Sequence, residues 1–232
     1  MTTAVILAGG LGTRLRSVVP DMPKPMAKVG ERPFLEYLMD YWINQGVTQF
    51  VLSVGYKSKI IIDHFGSMYK KIPITHAEEK EPLGTGGALV FAAQGLNKPF
   101  LLLNGDTYFE VSLKELDFFH QQTKSDWTIA LFKANQSNRY GGITLDAKSK
   151  ISHLKTAKSQ SQEFANGGVY LINPMVLDSS LFEPGKKYSL EDEILPVLIS
   201  DGKKIMGYKQ SGRFLDIGIP SDYHLAQNFI PN

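Results

Sequence analysis

Apolar residues along the chain fall into short unbroken runs that alternate with stretches of helical period. Ala4 to Ala8 is a wholly apolar run with β-branched residues at its centre, and it predicts a strand covered on both faces. Pro33 stands where a helix opens, because a missing N–H costs least at the first helical position. Phe34, Leu35, Leu38 and Trp42 then form one stripe. Glu36, Asp40 and Asn44 fall on another face, and Gly46 ends the helix. Phe50 to Val54 reads as the next strand, Ser58 to Phe65 as a helix stopped by Gly66, and Gly84 to Gln94 as a further helix. Phe100 to Leu103 is a third buried strand, and it ends in Asn104-Gly105-Asp106.

Strands alternating with helices in this way imply an α/β, Rossmann-like, mostly parallel sheet flanked by crossover helices. Such sheets bind ligands beyond the carboxyl ends of their strands. Gly9 to Arg14 and Asn104 to Thr107 fall at that edge. Past residue 126 the texture changes to shorter extended stretches, Thr128 to Lys133, Gly142 to Leu145 and Val169 to Ile172, which make a β-rich half. No repeat, linker or low-complexity break divides the chain, so residues 1–232 are expected to form a single domain with halves 1–125 and 126–232. Ser112-x-x-Glu115 and Ser189-x-x-Asp192 have the spacing of helix capping boxes. Pro196 is expected to kink or end the second of these helices, and Phe118, Phe119 and Tyr41 are expected in the core.

Charge and composition narrow the function. Twenty-five basic and 23 acidic residues leave a net charge of +2, with no basic stripe suited to a nucleic acid and no acidic tail. Cysteine is absent, which excludes disulfides, thiolate nucleophiles and zinc–thiolate sites. The opening Met-Thr-Thr-Ala-Val-Ile-Leu-Ala has no basic region, and its apolar run is too short for a signal peptide or a membrane span. A cytoplasmic protein without membrane contact is therefore expected.

Chemistry concentrates in a few places. Leu7, Ala8, Gly9, Gly10, Leu11, Gly12, Thr13 and Arg14 follow the first strand directly. Glycines let backbone N–H groups approach an anion, and Arg14 adds a planar, permanently charged fork suited to phosphate. The spacing is wrong for a dinucleotide fingerprint, since Leu15 stands where Gly or Ala is needed, and no Gly-Lys-Ser/Thr tripeptide makes a Walker loop. Pro23 and Pro25 bracket Lys24 and present it on a stiff loop. Asp106 and Asp216 are lone carboxylates in apolar runs. Either fits a turn cap or a Mg²⁺ site, since Mg²⁺ takes one or two carboxylates together with substrate phosphates. The histidines show no metal-ligand spacing, and no Gly-x-Ser-x-Gly elbow occurs.

Gly9 to Leu15 followed by Pro23-Lys24-Pro25 resembles the signature of the sugar-nucleotidyltransferase (nucleotide-sugar pyrophosphorylase) family. The resemblance continues in order through Glu81 to Ala88, Asn104 to Thr107, Arg139-Tyr140-Gly141, Asn166 to Tyr170 and Phe214 to Gly218, nearly the whole chain. It implies a fold of the nucleotide-diphospho-sugar transferase type, with nucleotide in the first half and sugar in the second. It also implies Mg²⁺ held by Asp106 and Asp216, and Arg14 and Lys24 as the catalytic cations on the phosphates. Pro82, Leu83, Gly84, Thr85 and Gly105 would join Leu7, Ala8, Gly9, Gly10, Gly12 and Thr13 around the nucleotide. Gly141, with a bare backbone amide, and Asn166, whose amide donates and accepts, are the sugar candidates, and Glu163 is a candidate to replace the family's acid that is missing from Leu154 to Lys158. The wording around Gly84 resembles guanylyltransferases more than uridylyl- or thymidylyltransferases, and Asn104 to Thr107, Asn166 to Tyr170 and Asp216 to Pro220 resemble those that act on D-glycero-α-D-manno-heptose 1-phosphate. GTP and that sugar phosphate are the expected partners, with mannose 1-phosphate as rival. One departure stands out. The family's Glu-Lys pair falls in the stretch Leu154 to Lys158, where this chain has no acid, so Lys155 and Lys158 are both candidates for the sugar phosphate. A non-catalytic relative that merely binds a sugar nucleotide, and a nicotinamide-dependent oxidoreductase, are the readings from other classes. Oligomeric state stays open.

Overall fold

Alternation inside the apolar runs decides the layering, because successive side chains of a strand point to opposite faces. In the computed structural model, which describes residues 2–134, 142–156 and 164–229, strand β1 (Thr3–Leu7) sends Ala4 and Ile6 to one core and Val5 to the other. A small ribbon of β2 (Lys28–Val29) and β3 (Arg32–Pro33) leads into helix α1 (Phe34–Asn44). Pro33 therefore lies just before the helix rather than inside it, as the last residue of the ribbon. Phe34, Leu35, Leu38 and Trp42 are all buried, and Gly46, at φ +99°, turns the chain out.

Next come β4 (Gln49–Val54), α2 (Ser58–Phe65), β5 (Met68–Tyr69), β6 (Ile72–Glu78), α3 (Gly84–Ala92) and β7 (Phe100–Asn104). β7, β1, β4 and β6 lie side by side and parallel. α1 and α2 cover one face of this sheet and α3 the other. The carboxyl ends of β1 and β7 thus open together, with Leu7 opposite Asn104.

The second half continues the same sheet. β8 (Thr107–Phe109), α4 (Leu113–Thr123), β9 (Trp127–Lys133), β10 (Gly142–Leu145), β11 (Ile151–Thr156) and β12 (Phe164–Ile172) follow. β12 runs antiparallel to β7 on one side and to β9 on the other, and so joins the halves. After α5 (Leu195–Ser200), β13 (Ile205–Gln210) adds parallel to β9, β14 (Phe214–Asp216) pairs with β8, and α6 (Pro220–Phe229) closes the described chain.

Both capping signals hold. Glu115 N donates to Ser112 Oγ at 3.3 Å and Asp192 N to Ser189 Oγ at 3.1 Å. In the second box the carboxylate that reaches back to the Ser189 N–H belongs to Glu193, at 2.6 Å. Pro196 marks a change of winding: Leu190–Ile194 is one π-helical turn, and α5 begins at Leu195. Phe118 departs from expectation. It is 65% exposed, because α4 buries Leu113, Leu116 and His120, and position 118 points away from that stripe.

Candidate active site

The glycine-rich turn is built by close approach. Ala8 N donates to Ser53 O at 2.8 Å, so the chain leaves β1 tight against β4. A Cβ on Gly9 would lie 2.5 Å from Glu79 Oε1 and 3.1 Å from Gly55 N. Gly12 sits in the left-handed region at φ +58°, and its Cβ would lie 3.2 Å from the Cβ of Lys24. Thr13–Leu15 then form a 3₁₀ turn anchored by buried Leu15. A second 3₁₀ turn, Lys24–Met26, starts after extended Pro23 and buries Pro25 and Met26, leaving Lys24 pointed at the strand ends. Its Nζ donates to Asp106 Oδ2 at 2.6 Å.

These pieces enclose a cavity of about 460 Å³ at the carboxyl ends of β1 and β7. Leu7, Ala8, Gly9, Gly10, Gly12 and Thr13 line one side, Lys24 and Asp106 another, and Pro82, Gly84 and Thr85 a third. Leu83 and Gly105 stand behind the wall. Leu83 is buried, and its N–H donates to Glu79 Oε2 at 3.1 Å; Gly105 N donates to Leu7 O at 3.0 Å. Arg14, next in the chain after Thr13, is exposed and is not among the lining residues.

Two cavity residues escaped the sequence reading, Glu79 and Lys187. Glu79 also accepts from Ser53 Oγ at 3.1 Å, so its carboxylate ties β4 to the start of α3. Lys187 arrives from the second half through the glycines of α3. Gly86 N and Gly87 N both donate to Tyr188 O, at 2.9 and 3.2 Å, and Leu190 N donates to Thr85 Oγ1 at 3.0 Å. A Cβ on Gly84, which has φ +70°, would meet Tyr188 O at 2.5 Å. These glycines therefore admit a neighbouring backbone, which uses the amides at the helix start. Neither residue carried a local signal, since Glu79 lies in a run of charges and Lys187 beside another lysine.

The two aspartates come together through the β8–β14 ribbon, where Asp216 is paired with Thr107. Ile217 N donates to Asp106 O at 3.0 Å, Gly218 N to Asp216 Oδ1 at 2.6 Å, and Thr107 Oγ1 to Asp106 Oδ1 at 3.3 Å. Among the described residues no group of three or more His, Cys, Asp or Glu side chains is placed to hold a metal ion. Asp106 lines the cavity and Asp216 lies one ribbon pair away; the one or two carboxylates this offers suit Mg²⁺, which completes its octahedron with water and phosphate oxygens.

Asn166 is committed to a half-buried network. Its Nδ2 donates to Tyr170 Oη at 2.7 Å and to Glu191 Oε1 at 3.0 Å, and its Oδ1 accepts from Gly168 N at 3.0 Å. Burial, helped by the Glu191 charge, pushes the Tyr170 phenol well above its ordinary range, so it stays a neutral partner. Gly141, Glu163 and Lys158 lie outside the described residues, and Lys155 falls in β11.

Residues 3–232 match the family model described as Nucleotidyl transferase. The chain belongs to the nucleotidyl transferase family. Among its relatives, the D-glycero-alpha-D-manno-heptose 1-phosphate guanylyltransferase of Aneurinibacillus thermoaerophilus is 41% identical over 97% of this chain and 96% of its own length. The mannose-1-phosphate guanyltransferase of Schizosaccharomyces pombe is 34% identical over 95% of this chain, which spans 62% of that protein. The crystal structure of HddC from Yersinia pseudotuberculosis complexed with GMP-PN superposes with a TM-score of 0.85 at 34% identity, covering 98% of this chain and 99% of that one.

As a nucleotidyl transferase the chain is an enzyme, which sets aside the oxidoreductase and purely binding readings. Its site matches what such chemistry asks. The reaction brings polyanions together, so placed cations and a shaped cavity matter more than a general base. Lys24, Lys187, Glu79 and Asp106 line the cavity, and Arg14 directly follows the lining residue Thr13.

Proposed function

We propose that this enzyme transfers the guanylyl group of GTP to D-glycero-α-D-manno-heptose 1-phosphate, forming a GDP-sugar and releasing pyrophosphate. The observation that carries the reading is the end-to-end similarity to heptose 1-phosphate guanylyltransferases, 41% and 35% identical over 97% and 95% of the chain. A neighbour of the same fold solved with GMP-PN supports a guanine nucleotide in the cavity.

In this reading residues 1–125 hold the nucleotide, with its phosphates along Gly9 to Thr13, and residues 126–232 hold the sugar. An oxygen of the sugar phosphate forms the new bond to the α-phosphorus. The bond from that phosphorus to the bridging oxygen of the β-phosphate breaks, and pyrophosphate leaves with the electron pair. The attacking oxygen is already anionic, so no proton need be removed. Lys24 neutralises charge at the α-phosphate, Arg14 receives the departing pyrophosphate, and Lys155 or Lys158 meets the sugar phosphate. Asp106 and Asp216 would hold Mg²⁺, which supplies charge neutralisation and alignment of the phosphates when bound. Asn166 positions the sugar side through Glu191 rather than by a spare amide. No helix among the described residues is long and apolar enough to cross a membrane, in keeping with work in the cytoplasm on water-soluble substrates.

The test is kcat/KM for pyrophosphate release with GTP, ATP, UTP and dTTP, each crossed with heptose, mannose and glucose 1-phosphates. GTP with the heptose is expected to lead. A site that bonds the guanine edge rejects other bases strongly, whereas one missing hydroxymethyl carbon changes binding by only about 1–3 kcal/mol, so some mannose turnover is expected. Preference for UTP or dTTP overturns the base assignment, and mannose exceeding heptose overturns the sugar.

A further inference from the structure

The shortest contact in the cavity joins a cation to the carboxylate assigned to the metal. Lys24 Nζ lies 2.6 Å from Asp106 Oδ2, and the side chains are 11% and 30% exposed. The other carboxylate oxygen accepts from Thr107 Oγ1 at 3.3 Å. With both oxygens engaged, Asp106 presents a neutralised face to an incoming ion. The lysine stem is pinned by backbone and packing contacts, whereas its tip is held by Asp106 alone among the described residues. Ala27 N donates to Lys24 O at 3.0 Å, Pro25 Cγ packs 3.3 Å from where a Gly105 Cβ would stand, and the Lys24 Cβ lies against Gly12. Beyond that anchor, rotation of the side chain carries the ammonium from Asp106 into the cavity it lines.

We propose that Lys24 is the resting occupant of the cation position at Asp106. It holds the carboxylate in the nucleotide-free protein and yields it to a divalent cation that arrives with the triphosphate, moving its own charge onto the phosphates. The inference rests on the metal assignment above. It follows that the nucleotide-free protein binds divalent cations weakly and that cation and nucleotide strengthen each other's binding.

The test is Mn²⁺ binding by electron paramagnetic resonance, without substrates, on wild type, Lys24→Met, Lys24→Gln and Lys24→Met/Asp106→Asn. The single variants are expected to bind Mn²⁺ at least tenfold more tightly than wild type, and the double variant to lose that gain. Equal affinity in wild type and either folded single variant overturns the proposal, as does a gain that survives in the double variant. In wild type alone, GTP must raise Mn²⁺ affinity, and the absence of that rise also overturns it. Turnover of wild type, measured separately, distinguishes the two readings. A dead enzyme whose Lys24→Met form gains Mn²⁺ refutes the proposed reaction only; an active enzyme without the gain refutes only the placeholder.

Discussion

Asp216 faces Thr107 across the β8–β14 ribbon, which sets it beside Asp106 although the two aspartates come from opposite halves of the chain. The pairing is made by backbone, so either side chain can be altered without dismantling it. Asp106→Asn and Asp216→Asn are therefore expected to lower kcat by on the order of 10²–10³ or more. Their melting temperatures should stay within about 4 °C of wild type. Steady-state assays over a Mg²⁺ series, with thermal melts alongside, check this; full activity of both variants in ordinary Mg²⁺ removes the metal assignment.

Arg14 is exposed, and its truncation should leave stability within about 0.5 kcal/mol. Arg14→Ala and Lys24→Ala should each raise the barrier by about 2.7–4 kcal/mol, seen in kcat more than in KM. Single-turnover rates decide the matter. Wild-type rates with weakened binding would make these residues docking groups.

Two glycines of the site are expected to respond in opposite ways. Gly84→Ala puts an L-residue at φ +70° with its Cβ 2.5 Å from Tyr188 O, which costs at least about 1–2 kcal/mol from the left-handed backbone alone and moves the Lys187 segment. Gly10→Ala meets nothing within 4 Å, so its urea midpoint should match wild type. If triphosphate lies along that loop, Gly10→Ala still weakens nucleotide binding. Denaturation curves and nucleotide titrations on both variants separate the two effects.

His120 supplies the pH prediction. Burial holds its pKa below the ordinary value of 6.5, against the nearby charges of Asp117 and Asp126, and its Nδ1 lies 2.8 Å from Thr128 Oγ1. The unfolded chain then binds a proton that the folded chain refuses, so stability is lost as pH falls from about 6.5 toward the depressed folded value. Above that range the group is neutral in both states and contributes no slope. His120→Gln is expected to flatten the loss between about pH 6.5 and 5. An unchanged slope in urea denaturation across that range counts against it.

Much of this was legible in the chain. α2 and its Gly66 stop were read with their observed bounds, because the helical stripe and the left-handed residue after it are both local signals. The glycine turn and Asp106 were legible for the same reason, each following an apolar strand directly. β6 was not, since it keeps only Ile74 buried and alternates with Pro73, Thr75 and Glu78 near the sheet edge. Phe118 was misplaced by residue type, although the phase of Leu113, Leu116 and His120 would have turned it outward. Glu79 and Lys187 join the cavity only through contacts between distant segments, which no window of sequence displays.

The position of β7 bears on how the molecule is made. Its partner on one side, β1, precedes it, but β12, on the other, follows some sixty residues later. A growing polypeptide therefore emerges with Phe100 to Leu103, wholly enclosed in the finished protein, on an open edge able to pair with a foreign strand. At roughly 5–20 residues per second, translation leaves that edge uncovered for several seconds. During synthesis, then, this strand presents a hazard that the finished sheet removes.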